Sequence, residues 1–301
     1  MLVKRWCLVL VIWGDKYSDA HVNVAVRSAR AHSATLRRAV LFTDRDRPGV
    51  DAFVTQRPFP EFFRRPEWFT HGYIAKLAMF SRADLPPDMA CVYVDLDTVI
   101  LGDLGRIAAL VRGPNDYLML PPGNLIGFGW LRRLRYRLTG GRDYAVGNSS
   151  VLAYSSSAEP NLCDVFRQLW ETSDRADPKM HIDDRFISWF ARDRLRAVPS
   201  SLAVMFRREF LSRSRLSQIW KSRIAPLFGR RRRLVAITLN GTAYKPEILL
   251  GLPEGSLVED SKGRAGRWNQ ADFGTARAAI LDHCKALIAD QGRRQRTTDL
   301  S

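Results

Sequence analysis

Two carboxylates that are two residues apart interrupt an apolar run in the first third of the chain. Asp95 and Asp97 follow Val92-Tyr93-Val94, a run typical of a strand buried on both faces. Burying an unpaired carboxylate is costly, so we expect both at the strand's carboxyl end, where ligands gather in open α/β sheets. If extended geometry continues through Leu96, both side chains point the same way and suit Mg²⁺ or Mn²⁺. The alternative is a strand end followed by a capped turn.

Three later segments carry further polar groups that could join this site. Asn148 and Ser149 lead into an apolar strand, and Asp183 and Asp184 precede an apolar helix, which one of them could simply cap. Asn240 follows the last predicted strand, 234–238. Gly241 follows it, and Asn-Gly is the strongest short signal for a hairpin turn.

The elements that must position these groups begin with a βαβ unit. Strand-like segments at 7–13 and 39–44 flank an amphipathic helix. Nucleotide-binding α/β folds commonly begin with this arrangement. The sequence has no GxGxxG motif, which argues against a dinucleotide fold of the usual kind. A short helix at 73–81 carries Lys76, and 271–289 predicts a closing helix.

Composition and charge narrow the classes of protein and partner. The 301 residues allow one large domain or two small ones, and the net charge of +16 favours a nucleotide diphosphate, an anionic membrane surface or nucleic acid. The four dispersed cysteines predict reduced core residues of a cytosolic protein. We interpret the apolar start as a first strand rather than a signal peptide, and no later run reaches the roughly 18 apolar residues of a membrane span.

Two segments combine basic and aromatic residues, at 126–142 and 205–233. This composition fits an interfacial amphipathic helix, in which aromatic rings enter the headgroup region and arginine meets anionic lipid. The alternative is a solvated basic face with an apolar core side. No nucleic-acid-binding signature accompanies these segments, so no nucleic-acid partner is expected.

Several polar islands, taken in order, resemble the nucleotide-sugar glycosyltransferases of the GT-A fold, especially bacterial relatives of family 8. The resemblance covers roughly residues 5–250, and its specificity lies in the order of the islands. The matching islands are Trp13-Gly14-Asp15-Lys16-Tyr17, Phe42-Thr43-Asp44, Lys76-Leu77, Asp95-Leu96-Asp97-Thr98-Val99, Gly102-Asp103-Leu104, Asn148-Ser149-Ser150-Val151, Asp183-Asp184, and Gly241 with Lys245-Pro246.

The resemblance implies an α/β fold with a mixed central sheet and a role for each matched residue. Asp97 would be the main ligand of Mn²⁺ or Mg²⁺, and Asp95 would face the ribose and the metal. The donor would be a nucleotide-diphosphate sugar, most simply a UDP-sugar, and the acceptor a glycan or a lipid-linked glycan. The remaining donor-binding residues would be Trp13, Lys16, Lys76, Asn148, Ser149, Gly241 and Lys245.

The chain departs from the family's pattern in two places. Relatives carry a histidine metal ligand where this chain has Asn240, and an extra residue separates Gly241 from Lys245. The amide oxygen of Asn240 could bind the same metal, or Asn240 could only form the turn. Relatives also carry Asp-Gln where this chain has Asp183-Asp184. Asp184 could therefore act as a general base or accept a hydrogen bond from a sugar hydroxyl, and the stereochemistry of transfer stays open.

A haloacid dehalogenase-like phosphohydrolase is the main rival, because 92–99 also fits that family's opening motif. Asp95 would then be the nucleophile, Asp97 the acid/base, Asp183-Asp184 metal ligands and Lys179 the phosphate lysine. A non-enzymatic basic protein that binds membrane or nucleic acid is the third possibility. We predict the transferase, with one domain at 1–290, a frayed tail at 291–301, and a cytoplasmic location that includes the inner membrane face.

Overall fold

A mixed seven-stranded sheet forms the centre of the computed structural model, which describes residues 5–70, 73–121, 134, 137–139, 147–172, 177–223, 229–241 and 244–298. Its strand order is β3-β2-β1-β4-β7-β6-β8. β1 to β4 run parallel, β7 is antiparallel to both of its neighbours, and β6 and β8 are parallel. These strands are β1 (Trp6–Ile12), β2 (Leu36–Thr43), β3 (Val54–Pro58), β4 (Ala90–Val94), β6 (Tyr117–Leu120), β7 (Asn148–Ser155) and β8 (Leu195–Ala197).

Two smaller sheets complete the strand inventory of the described residues. β10 (Ala236–Thr238) lies between β5 (Thr98–Ile100), to which it is antiparallel, and β9 (Ala203–Met205), to which it is parallel. β11 (Leu257–Glu259) and β12 (Ala265–Arg267) form an antiparallel pair.

Helices cover both faces of the central sheet, as the buried strands require. On β1, Leu8 packs into the cluster shared with α1, whereas Val9 packs into the cluster shared with α4 and α5. The helices are α1 (Asp19–His32), α2 (Glu67–Thr70), α3 (Gly105–Ala108), α4 (Leu162–Thr172), α5 (Asp183–Phe190), α6 (Phe206–Glu209), α7 (Arg215–Arg223), α8 (Pro246–Gly251), α9 (Gln270–Phe273) and α10 (Thr275–Thr298), with 3₁₀ turns at Glu61–Arg64, Ile74–Phe80, Arg82–Asp84 and Pro178–His181. In the described part of the chain, no helix is long and apolar enough to cross a bilayer.

The predicted strands at 7–13 and 39–44 are present, and all four cysteines are buried free thiols. The closing helix differs from its prediction. Gly274 has φ of +60°, which breaks 271–289 into α9 and α10 because this conformation suits glycine and ends a helix. The helix then continues to Thr298, beyond the predicted start of a frayed tail at 291. Asp290 holds it against α1 through Arg27 Nη2 at 2.8 Å.

The segment 205–233 divides between a core and a surface. Phe206, Phe210 and Leu211 are buried in a third hydrophobic cluster, and the rings of Phe210 and Phe273 stack with centroids 4.7 Å apart. This part is therefore core packing rather than an exposed amphipathic face. Apart from residues 134 and 137–139, the segment 126–142 lies outside the described residues.

Candidate active site

The carboxylate pair lies in a turn that connects two sheets. The N–H of Thr98 donates to the carbonyl of Asp95 at 2.9 Å, so the chain turns after β4 and enters β5 of the second sheet. Extended geometry therefore does not continue through Leu96, and the condition under which strand alternation would point both side chains the same way is not met. The turn forms because Thr98 must pair with Thr238 of β10.

The two carboxylates nevertheless share one electrostatic environment. Burial opposes ionisation of Asp95, but the Lys76 ammonium and the Tyr93 hydroxyl, which donates to Asp95 Oδ1 at 2.6 Å, hold the pKa of Asp95 below its usual value. Burial and the charge of Asp95 raise the pKa of Asp97 to about 6. Because Asp95 is anionic, a cation close to Asp97 would stabilise the ionised form of Asp97.

Groups from distant segments surround Asp97. The Tyr17 hydroxyl donates to Asp97 Oδ2 at 3.3 Å, and Thr238 Oγ1 lies 3.4 Å from Asp97 Oδ1. Burial and the two acids Asp97 and Asp95 raise the pKa of Tyr17, so its hydroxyl stays protonated as a donor. The exposed Lys16, whose ammonium lies 4.9 Å over the Tyr17 ring, lowers the pKa of Asp97 and partly offsets the effect of burial.

Lys76 is buried at the centre of the site, with 6% of its surface exposed. Its Nζ lies 3.0 Å from Asp95 Oδ1 and 3.1 Å from Asp183 Oδ2, and it donates to Ser149 Oγ at 2.7 Å. Burial alone would lower the pKa of Lys76, but Asp183 and Asp95 outweigh burial and hold it well above its usual value. The ammonium therefore joins four segments of the chain and faces carboxylates rather than an open donor site.

Asp183 and Asp184 begin α5 and fasten it to the start of β7. The N-cap residue of α5 is Ile182, so the capping alternative for these acids is wrong. Asp183 accepts a hydrogen bond from Ser149 Oγ at 2.6 Å, while Asp184 accepts from Ser149 N at 2.5 Å and from Asn148 Nδ2 at 3.2 Å. Burial and the charge of Asp183 raise the pKa of Asp184 to about 6.

Asn240 joins the same cluster through its side chain. Its Oδ1 accepts a hydrogen bond from Thr238 Oγ1 at 2.7 Å, and its Nδ2 donates to Ser150 Oγ at 2.7 Å. β10, which precedes Asn240, pairs with β5 on one side and β9 on the other, so it forms no hairpin with a later strand of the described residues, although Gly241 has a positive φ of 135°. Lys245 is exposed at the start of α8, and its ammonium forms no hydrogen bond or ion pair with a described residue.

Trp13 and Lys16 lie on the segment that follows β1. Trp13 is half-buried, and its Nε1 donates to the carbonyl of Phe69 at 3.3 Å. Asp44, at the end of β2, accepts a hydrogen bond from Gly14 N at 2.9 Å and fixes the path of this segment. The two strand ends of the βαβ unit thus meet beside Tyr17 and the carboxylate pair.

Four residues that contact the predicted ones received no role from the sequence: Tyr17 and Ser150, which lie within the matching segments, and Tyr93 and Thr238, which do not. A period-two signal could have identified two of them. Tyr93 lies two residues before Asp95, and Thr238 lies two residues before Asn240, so each pair was a candidate for one face of a strand end.

The residues present fit a hard divalent cation by the type of their donor atoms. No three His, Cys, Asp or Glu side chains among the described residues are placed to hold a metal by themselves. Two carboxylates and one amide oxygen are nevertheless what Mg²⁺ or Mn²⁺ uses when water and substrate phosphates complete its coordination. The raised pKa of Asp97 reflects a burial and repulsion penalty that such a cation would remove.

Lys179 lies in a different environment from the one that the phosphohydrolase alternative requires. Its ammonium pairs with Asp177 and lies 5.0 Å over the Trp189 ring. Lys76, rather than Lys179, is the lysine beside Asp95.

Solved glycosyltransferases share this architecture. The galactosyltransferase LgtC, solved with donor and acceptor sugar analogs, matches 93% of this chain and 95% of its own at 12% identity, with a TM-score of 0.51. The apo form of GlyE from Streptococcus pneumoniae TIGR4 matches 97% of this chain and 64% of its own at 13% identity, with a TM-score of 0.52. The bifunctional glycosyltransferase WbbM matches 81% of this chain and 48% of its own at 13% identity, with a TM-score of 0.53.

The predicted fold is confirmed: the chain forms a single GT-A-like domain around a mixed central sheet. No protein-family model and no curated protein matches the sequence. At these identities the likeness establishes the fold, and the chemistry must be argued from the site.

Proposed function

We propose that this chain is a metal-dependent glycosyltransferase that moves a sugar from a nucleotide-diphosphate sugar, a UDP-sugar by the sequence resemblance, to a glycan or lipid-linked acceptor. The observation that carries the proposal is the turn at Asp95 and Asp97. It lies at the carboxyl end of a central strand of a glycosyltransferase-like sheet, where ligands of α/β folds bind. Asn148, Ser149, Asp183, Asp184 and Asn240 converge on the same place.

Transfer of the sugar leaves a nucleoside diphosphate, and its developing negative charge must be stabilised. Asp97, Asp95 and Asn240 would hold a divalent ion, which when bound neutralises the leaving diphosphate. Lys245 has no described partner and is exposed, so its ammonium is available for the same diphosphate. The positive net charge of the chain further favours an anionic donor.

The donor sugar would lie against Asn148, Ser149 and Asp184. Asp184 is fixed by two donors, and its pKa of about 6 lets it accept a hydrogen bond or a proton close to neutral pH. The sequence leaves two roles open for Asp184: it could accept a hydrogen bond from a sugar hydroxyl, or it could act as a general base. Either role would use the two carboxylate oxygens of Asp184.

The geometry favours a positioning role for Lys76 beside the donor contact that the resemblance implies. Its ammonium is buried between Asp95 and Asp183 and donates to Ser149 Oγ. We therefore assign it to positioning: it sets the distance between the carboxylate turn and the start of α5.

A thermal-shift panel tests the proposal, because a ligand that binds only the folded state raises its melting temperature. The panel contains UDP, GDP, CMP and UDP-sugars, each with and without Mn²⁺. We expect a Mn²⁺-dependent rise with one nucleoside diphosphate, which also identifies the base. Silence of every nucleotide, together with stabilisation by Mg²⁺ and a phosphate analogue, would contradict the proposal and favour a phosphohydrolase.

A further inference from the structure

Helix α7 faces the rest of the protein with its polar side. Gln218 Nε2 lies 3.4 Å from Asp272 Oδ2, and Lys221 Nζ donates to the carbonyls of Arg208 and Leu211 at 2.8 and 3.1 Å. Gln218 and Lys221 are three residues apart and therefore lie on one face. The contacts that fix this helix are thus polar.

The opposite face of α7 presents large apolar side chains to solvent. Leu216 is 76% exposed and Trp220, four residues later, is 68% exposed, with Ile219 beside them at 37%. Arg223 continues the same stripe and is exposed. A helix on the surface of a globular protein normally buries its apolar stripe and exposes its polar one. No residue in the described part of the chain covers Leu216 or Trp220, which leaves this stripe open to an apolar partner.

The charge around α7 restricts what that partner is. The segment 205–233 contains ten lysines and arginines, and its single acid is Glu209. Glu209 is buried and its carboxylate is paired with Arg230 and Arg231, so it neutralises none of the surface charge. Exposed cations of the segment include Arg213, Arg223, Arg232 and Arg233.

We propose that α7 docks on an anionic lipid bilayer, with Leu216 and Trp220 in the headgroup region and the arginines at the lipid phosphates. An apolar protein groove would satisfy the leucine and tryptophan but not the surplus of positive charge. A bilayer with anionic headgroups satisfies both, since it offers apolar depth beneath a layer of negative charge. The inference is independent of the glycosyltransferase proposal, although it would bring the site close to a lipid-linked acceptor.

Co-sedimentation with vesicles tests this docking without any nucleotide. The full chain is expected to bind vesicles of phosphatidylcholine with phosphatidylglycerol and to remain in solution with phosphatidylcholine alone. The double substitution Leu216→Ser with Trp220→Ser is expected to weaken binding at least about tenfold, because it removes the inserted side chains. The matched control is Leu257→Ser with Ile288→Ser, which removes two exposed apolar side chains elsewhere and should leave vesicle binding unchanged.

A charge variant, Arg223→Gln with Arg232→Gln, should weaken binding to the anionic vesicles and reduce its dependence on salt. Melting temperatures of all variants establish that each is folded before binding is compared. Three results would overturn the inference: no binding to anionic vesicles, equal binding by the Leu216→Ser, Trp220→Ser variant, or a dimer in sedimentation equilibrium that this variant dissociates. The last result would identify a second copy of the chain as the partner.

Discussion

Two regions of this molecule bury charged side chains, and they balance their charges in opposite ways. Around Glu209, which is 1% exposed, the guanidinium groups of Arg230 and Arg231 both pair with one carboxylate, the latter at 2.7 Å. In the candidate site, the buried ammonium of Lys76 is surrounded by four carboxylates, those of Asp95, Asp97, Asp183 and Asp184. The first region has surplus positive charge, and the second has surplus negative charge.

The difference separates a structural ion-pair cluster from a site prepared for a ligand. Arg231 also donates to the carbonyls of Asp272 and Glu209, so the Glu209 cluster ties together segments that form the third hydrophobic core. In the site, burial and neighbouring acids raise the pKa values of Asp97 and Asp184 to about 6, which destabilises the folded protein near neutral pH. Binding a cation or a proton would remove that penalty. A metal-dependent enzyme that has not yet bound its metal and donor would carry such a penalty.

The largest expected effect is on the structural side. Glu209→Gln leaves two buried guanidinium groups without a counter-charge, and it should lower the free energy of unfolding by about 3–5 kcal/mol. Urea denaturation measures this change. Glu259→Gln, at an exposed position of β11, is the matched control and should shift stability by less than about 0.5 kcal/mol. An equally small effect of Glu209→Gln would remove the contrast between the two regions.

Lys76→Met should destabilise the protein by about 3 kcal/mol at neutral pH, because Asp95 and Asp183 lose their shared cation. The pKa of Lys76 is raised, so its contribution is fully present below its unfolded value and is lost only at strongly alkaline pH. Lys76 also lowers the pKa of Asp95, and the stability gained there is lost as pH falls through the lowered value, so the variant's deficit should shrink only in acid. Urea titrations at several pH values measure the trend. Lys179→Met, which breaks the Lys179–Asp177 pair, is the control and should show little pH dependence.

Asp97→Asn should stabilise the metal-free protein, by about 2 kcal/mol at about pH 8. The pKa of Asp97 is raised on folding, so wild-type stability is highest below the unfolded pKa and falls as pH rises through about 6. An uncharged amide does not undergo this loss, so the free energies of unfolding of the two proteins should approach each other in acid. Equal pH profiles of unfolding for both proteins would mean that Asp97 is not under the electrostatic strain described here.

Asn240→Ala should have the smallest effect. It removes one candidate ligand and the bridge between Thr238 and Ser150, but leaves both carboxylates in place. We expect roughly a tenfold loss of Mn²⁺ affinity in the presence of nucleotide, the size typical of an outer or secondary ligand. Calorimetric titration with Mn²⁺ measures it, and a loss as large as that of the Asp97 variant would place Asn240 among the principal ligands.

The sequence predicted the buried strand before Asp95, the βαβ opening and the segments that converge on the site. It could not predict the turn at Leu96, because the turn leads into β5, whose partner β10 lies about 140 positions away in the chain. The donor contact of Lys76 was implied by the resemblance, whereas its burial between Asp95 and Asp183 depends on three distant segments and could not be predicted. The polar islands were visible in the sequence, and their mutual distances were not.

The central claim is that the carboxylate turn holds a divalent ion together with a nucleoside diphosphate. The most direct test is the binding of Mn²⁺, followed by electron paramagnetic resonance, to wild type and Asp97→Asn in the presence of UDP. Wild type should bind one ion in a UDP-dependent manner. The variant should bind no Mn²⁺ at comparable concentrations. Its melting temperature in the absence of metal should be at least as high as that of wild type. Unchanged, UDP-dependent Mn²⁺ binding by a folded Asp97→Asn protein would contradict the account.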